Sequence, residues 1–214
     1  MTEAALKAAL ASHPRIDMPA LPGRTNHVKA GVLLPLFPEG DDLTVLLTER
    51  SRALRQHAGE ICFPGGRMDD TDASVAATAL REAEEEVGLT SARIVGRLSS
   101  IPLYTSDFRL EPFVAWCSEP LSGLRPSPDE VASLVPVSMF ALAERSFVHG
   151  VTWSRDGIAH LSPIFEAPEG SAQPLIFGGT AYALYELLGV VAKLRGRDVP
   201  PLKSGRYTWA DVLD

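Results

Sequence analysis

Residues 65–89 read GGRMDDTDASVAATALREAEEEVGL, and the rest of the chain is interpreted outward from them. Placed on a helix at about 100° per residue, Glu82, Glu86 and Glu85 fall at roughly 0°, +40° and −60°. Three carboxylates therefore share one face within a turn. Ala76, Ala79, Leu80, Ala83 and Val87 form an adjacent apolar stripe suited to burial, while Glu84 points away from the other acids. Asp72 or Ser74 caps the helix start, and Gly88 ends it. Nothing local stabilises the acidic face. Like charges four residues apart repel, and acids in a last helical turn oppose the helix dipole at a cost of about 0.3–1 kcal/mol each. A solvated helix face is the ordinary explanation of a run of Glu. An oxygen-rich set of this kind also suits a hard cation such as Mg2+ or Mn2+, so the flanking sequence must decide.

Upstream, Ile61-Cys62-Phe63 reads as a brief strand running into Pro64-Gly65-Gly66, preceded by the polar, basic stretch RSRALRQHAGE at 50–60. Apolar runs at 29–37 and 43–49 flank the Glu39-Gly40-Asp41-Asp42 turn and predict an antiparallel hairpin, with Pro35 limiting the ladder of its first strand. Before them lie an Ala-rich helix at 2–12 and an arm at 13–27 holding three prolines and a glycine. Downstream, strands are expected at 92–99, 110–118 and 130–137, with loops at 103–109 and around Pro126-Ser127-Pro128, and a short helix at 139–144. Two further strands, 147–153 and 158–165, flank an Arg155-Asp156-Gly157 turn. A helix at 179–194 and a polar tail close the chain. Strands and helices do not alternate as in a doubly wound sheet. The pattern predicts an α+β fold, an α/β/α layered sandwich with a mixed central sheet between helices. The organisation expected is an N-terminal helix and arm at 1–27, one domain at 28–195 and a tail at 196–214.

Composition bounds the function. At 214 residues with 45% hydrophobic and 22% charged content, the chain is an ordinary globular protein with a substantial core. A net charge of −7 argues against nucleic acid as a partner, although local cations leave room for a small anionic substrate. The two cysteines, Cys62 and Cys117, make no disulfide or metal framework and are expected to be reduced core residues. No apolar run reaches membrane-spanning length, so a cytoplasmic location with no membrane partner is expected.

With these residues in place, 65–89 resembles the box of the Nudix hydrolase family, Gly-x5-Glu-x7-Arg-Glu-U-x-Glu-Glu-x-Gly-U, where U is aliphatic. Arg81, Glu82, Ala83, Glu85, Glu86, Gly88 and Leu89 match its second half. Counted from Gly66, Asp72 stands where the family has Glu, and eight residues rather than seven lead on to Arg81, so the approach to the helix is expected to differ from the general family. The resemblance implies the Nudix fold and hydrolysis of a diphosphate linked to another moiety, with Mg2+ or Mn2+. It implies Glu82, Glu85 and Glu86 as metal ligands, joined by a main-chain carbonyl at Gly66, and Arg81 as the group that orients the carboxylates. Glu82 or Glu85 is a candidate general base, and Glu130 is the best candidate outside the box.

Residues 46–66, LLTERSRALRQHAGEICFPGG, are similar to the signature that precedes the box in coenzyme A diphosphatases: Leu-Leu-Thr-x-Arg-Ser, Leu-Arg-x-His-x-Gly, then Phe-Pro-Gly-Gly. This implies coenzyme A or a derivative as substrate, with 3′,5′-ADP and 4′-phosphopantetheine as products. Arg50, Arg52, Arg55, His57 and Arg67 cluster in sequence beside the box and supply donors for phosphate, to which the planar Arg fork is well matched. Two alternatives stand at this point: a Nudix diphosphatase for ADP-ribose, dinucleotides or nucleoside triphosphates, and a Nudix-fold nucleotide-binding module without catalysis.

Overall fold

The computed structural model describes residues 1–155, 157–171 and 173–213. The chain opens with α1 (Glu3–Ser12), capped by the Thr2 side chain. Strand β1 (Val28–Glu39) and β2 (Asp42–Arg50) form the expected antiparallel hairpin. Its register starts at Leu36 opposite Val45. On the N-terminal side of Pro35, which has no N–H to give, that edge of β1 is taken instead by β4 (Gly65–Arg67), with Gly66 opposite Gly31. The short β3 (Ile61–Cys62) pairs with β2. After α2 (Val75–Val87) come β5 (Arg93–Arg97), β6 (Ile101–Pro102) and β7 (Phe108–Trp116), then β8 (Val131–Ser138) and α3 (Met139–Ala143).

The main sheet runs β3-β2-β1-β7-β5, with β4 on β1, β6 on β7 and β8 on β2. It is mixed, because β1 and β7 run parallel from Val28 beside Phe108 to Leu36 beside Trp116. Alternating side chains send Leu33, Phe37 and Leu46 to one face, where Ala79, Ala83 and Val87 of α2 cover them. Leu34, Leu36, Val45 and Leu47 go to the other face, against Leu6 and Leu10 of α1 and Leu184 and Leu187 of α4 (Gly178–Leu194). This is the expected α+β sandwich of helix, mixed sheet and helix. Gly31 sets the first contact: a Cβ there would overlap the Val75 carbonyl and the Ala79 amide, so only glycine lets α2 lie this close to β1.

Beyond α3, β9 (Val148–Arg155) and β10 (Ile158–Glu166) form a hairpin whose expected turn includes Asp156, which lies outside the described residues. A second sheet of order β11-β10-β9-β12 is completed by β11 (Leu175–Ile176) and β12 (Leu202–Lys203). Four details differ from expectation. Gly65–Arg67 is a strand rather than a turn, β7 starts at Phe108 inside the expected loop, β6 occupies 101–102, and the polar tail contributes β12 and α5 (Ala210–Leu213). These segments carry no hydrophobic period of their own. Each is held by the main-chain ladder of a neighbour or, for α5, by the burial of Val212. Cys62 and Cys117 are free thiols, the second fully buried. Among the described residues, no helix is long and apolar enough to cross a membrane.

Candidate active site

Helix α2 starts at Ser74, whose hydroxyl accepts the Ala77 N–H at 3.1 Å. Asp72, the other cap candidate, serves a different purpose. Its side chain, only 6% exposed, accepts two parallel bonds from Arg81, from Nε at 3.0 Å and Nη2 at 3.1 Å. It also accepts the Thr78 hydroxyl at 2.9 Å and the Asp69 N–H at 3.0 Å. Arg81 and these other donors hold the Asp72 carboxyl well below the usual carboxylate range, and Asp72 in turn keeps the Arg81 guanidinium firmly charged. The fork, fixed from behind, reaches Glu85 through Nη1 at 2.8 Å and Glu82 through Nη2 at 2.9 Å.

Gly88 ends the helix in the left-handed conformation, at φ +70°. The carbonyls freed in the last turn are taken by the following loop: Arg125 N–H bonds the Val87 oxygen at 2.9 Å and Ser127 N–H bonds the Glu86 oxygen at 2.8 Å. This docking brings Glu130 close enough to raise the pKa of both Glu82 and Glu86.

Glu82 and Glu86 converge on Gly65 and Gly66 of β4. A Cβ on Gly66 would overlap the Glu82 carboxyl, and one on Gly65, at φ +157°, would overlap the Gly31 carbonyl. Glu86 is buried, accepts the Gly65 N–H at 3.3 Å, and has Arg50 Nη1 at 3.9 Å. Burial pushes its carboxyl up to about 7; Glu82 and Glu130 add to this, while Arg50 and the Gly65 N–H oppose it. Glu82 is raised in the same way, by burial first, with Arg81 opposing. Two carboxylates crowded against the Gly-Gly start of β4 and pressed toward protonation are a donor set that a divalent cation fits, since its charge would restore both to the ionised form. Glu85, 54% exposed, is turned to Arg81 instead. Among the described residues, no three acidic, His or Cys side chains are already drawn together as a cation cage.

The basic stretch 50–60 closes over this edge. Arg50 N–H bonds the Glu60 oxygen at 2.9 Å, Gly59 N–H bonds the Arg50 oxygen at 3.1 Å, and Ser51 N–H bonds the Glu130 oxygen at 2.8 Å. Arg50 itself is half-buried, and its Nε is buried without a hydrogen-bond partner. His57 sits at φ +55° with Nδ1 3.0 Å from Glu60 Oε1, so it shapes the 57–60 turn. Arg52, Arg55 and Arg67 are exposed and make no ion pair among the described residues. The structure thus gathers Arg81, Glu82, Glu85, Glu86, Gly66, Glu130 and Arg50, and leaves Arg52, Arg55, His57 and Arg67 on the surrounding surface.

A family profile described as the NUDIX domain matches residues 25–150. The chain belongs to the Nudix family. Nudix hydrolases generally use divalent metal ions and act on nucleotide-like substrates. The Nudix hydrolase NudL of Photorhabdus laumondii is 36% identical over 177 residues, covering 81% of this chain and 91% of that protein. NudL of Escherichia coli is 38% identical over 137 residues, covering 63% of this chain and 70% of that protein. Both relatives are described as uncharacterized. The NUDIX hydrolase structure from Nitrosomonas europaea superposes with a TM-score of 0.47 at 16% identity, covering 83% of this chain and 79% of that one.

Two groups in this Nudix site lay outside the candidate set drawn from sequence. Asp72, at the Glu position of the box, is the support of Arg81, and an acid nine residues ahead of the arginine is its signal in the sequence. Thr78, fully buried, has no such signal, because a hydroxyl that bonds Asp72 and the Ser74 carbonyl of its own helix leaves no mark in the sequence.

Proposed function

We propose that this Nudix hydrolase cleaves the diphosphate of coenzyme A or its derivatives, giving 3′,5′-ADP and 4′-phosphopantetheine in the presence of Mg2+ or Mn2+. The observation that carries this reading is the attachment of the 46–66 segment to the acidic helix, through Arg50 beside Glu86 and Ser51 on the Glu130 main chain. The residues that would hold the metal are Glu82, Glu86, Glu85 and the main-chain carbonyl of Gly66. Bound there, the ion would supply charge neutralisation for the diphosphate and acidify water.

The chain's own groups do the rest. Arg81, locked by Asp72, keeps Glu82 and Glu85 in place. Arg50 offers a half-buried guanidinium cation to a phosphate oxygen. Arg52, Arg55, His57 and Arg67 rim the surface where further phosphate and the nucleotide would lie. Glu130 is the general base we favour. It is exposed, it lies near Glu82 and Glu86, and no hydrogen bond or ion pair engages its carboxylate among the described residues. Glu82 and Glu85, the competitors, are both engaged by Arg81. Water adds to one phosphorus, the bridging P–O bond breaks, and the water proton passes to the carboxylate as two phosphomonoesters leave. A cytoplasmic location fits such a substrate.

The test is product analysis with coenzyme A, 3′-dephospho-coenzyme A and ADP-ribose, each with and without Mg2+ or Mn2+. The expected result is metal-dependent cleavage of coenzyme A to the two products named. Much faster cleavage of ADP-ribose would overturn the substrate, and the absence of any metal-dependent turnover would overturn catalysis.

A further inference from the structure

We propose that the cavity between β9 and the 203–206 segment, on the second sheet, binds a phosphomonoester-class anion. The proposal goes beyond the diphosphatase site and does not depend on it. The cavity measures ≈ 330 Å³ and is lined by Phe147, His149, Lys203, Ser204, Gly205 and Arg206. That is the lower end of the range for small-ligand sites, about 300–1,000 Å³.

The chain as a whole is strongly acidic, at −7. Around His149, however, the charges felt most strongly are three cations, Arg206, Arg145 and Lys203, and the Glu166 carboxylate. Glu166 is already committed: it accepts the Tyr207 hydroxyl at 2.8 Å and pairs with Arg206 at 2.9 Å. Lys203 and Arg145 make no ion pair within 4 Å among the described residues. The Lys203 ammonium lies 4.9 Å from the centre of the Phe147 ring, a contact that holds it over the cavity while leaving its N–H groups free.

The walls are built around His149. The ladder of β12 with β9 sets Lys203 directly beside His149. His149 is clamped edge-on between Phe147 and Tyr207, with centroids at 5.1 and 5.2 Å. Gly205, at φ +109°, makes the turn that returns Arg206 to the same mouth as Ser204. Burial favours the neutral His149 ring; Glu166 opposes this, and the three cations reinforce it. A neutral imidazole and a serine hydroxyl both donate to phosphate oxygens.

Such a phosphate has two sources: the 3′-phosphate of the substrate bound at α2, or a separate phosphorylated metabolite. The test uses the full-length protein without divalent metal, titrated with inorganic phosphate and with 3′,5′-ADP while the imidazole proton signals of His149 are followed. We expect saturable shifts, weakened about fivefold in Lys203→Gln, the scale of an exposed charge pair, retained in Lys203→Arg, and unchanged in Glu82→Gln. If His149 does not respond to either anion, or if Lys203→Gln binds as tightly as the parent, the site is overturned. Binding lost in Glu82→Gln overturns it equally, by assigning the anion to the carboxylate helix. Steady-state kinetics then separates the sources. A KM raised for coenzyme A but not for its 3′-dephospho form, at unchanged kcat, identifies the substrate's own phosphate, whereas an unchanged KM identifies a separate ligand. Phosphate binding is read without turnover, so it stands or falls apart from the coenzyme A reading.

Discussion

Asp72 and Arg81 show how one pair fixes a site. The carboxylate takes two parallel bonds from the guanidinium, leaving the outer N–H groups to hold Glu82 and Glu85. Asp72→Ala removes the support behind the fork, and turnover should fall by about a hundredfold, the penalty typical of a misplacement near 1 Å. A steady-state assay of kcat checks this, and Asp72→Asn should fall between the two because it keeps one acceptor. Glu130→Gln should lower kcat by about 10²–10⁴-fold, the usual contribution of a general base, with little change in KM. Loss of KM alone would move Glu130 to substrate binding. Cys117 supplies a pH dependence away from the site. Burial, with Glu119, pushes its thiol up to about 12, whereas in the unfolded chain it ionises near about 8.5. The unfolded state therefore releases this proton first as pH rises, so its contribution to stability is complete below about 8.5 and is lost toward about 12. Thermal midpoints measured across that interval should decline less in Cys117→Ala, and native Cys117 should resist alkylation at neutral pH.

At the scale of the element, α2 was legible almost whole. Of the stripe, Ala79, Ala83 and Val87 are fully buried and Ala76 and Leu80 partly so, Glu84 is exposed, and Gly88 closes the last turn, as the helical period requires. Of the two cap candidates, Ser74 takes the cap, and Asp72 is released to bond Arg81. The one-residue-longer approach to the helix therefore ends with the acid facing the arginine from outside the first turn. The surface on which α2 rests was not legible, because it depends on a glycine far away in sequence. Gly31→Ala would push the Val75 carbonyl and the Ala79 amide away from β1. Backbone gives way less easily than a side chain, so we expect a loss of about 1–3 kcal/mol. A larger loss of activity should accompany it, since Gly66 lies opposite Gly31 in the ladder and also packs against Glu82. Chemical denaturation and turnover of the same variant test both parts.

Across the whole molecule, the N-terminal helix and the C-terminal segment are built into the body. Leu6 and Leu10 of α1 are buried in the main core, and Leu10 rests on β5 at Gly96, where a Cβ would collide with it. His13 and Ser99 both bond Glu186 of α4, at 2.9 and 2.8 Å, which ties the end of α1 to the helix beside it on the same face of the sheet. Leu10→Ala should cost about 2–5 kcal/mol, read by denaturant midpoint, as for other buried leucines. A neutral result would mean that α1 is held only at its ends. What the sequence determined by itself was local: the helical period of the acids and their apolar stripe, the capping and stopping residues, the hairpin around 39–42, and the box that places the chain in the Nudix family. The tertiary structure decided everything that joins distant residues. It set Glu130 near Glu82 and Glu86 by docking a loop onto freed carbonyls, Arg50 beside Glu86, Gly66 beneath Glu82, and β12 on β9. The physical reason is that periodicity and capping act within a few residues along the chain. Main-chain ladders and close glycine contacts form only once the sheet has brought their partners together.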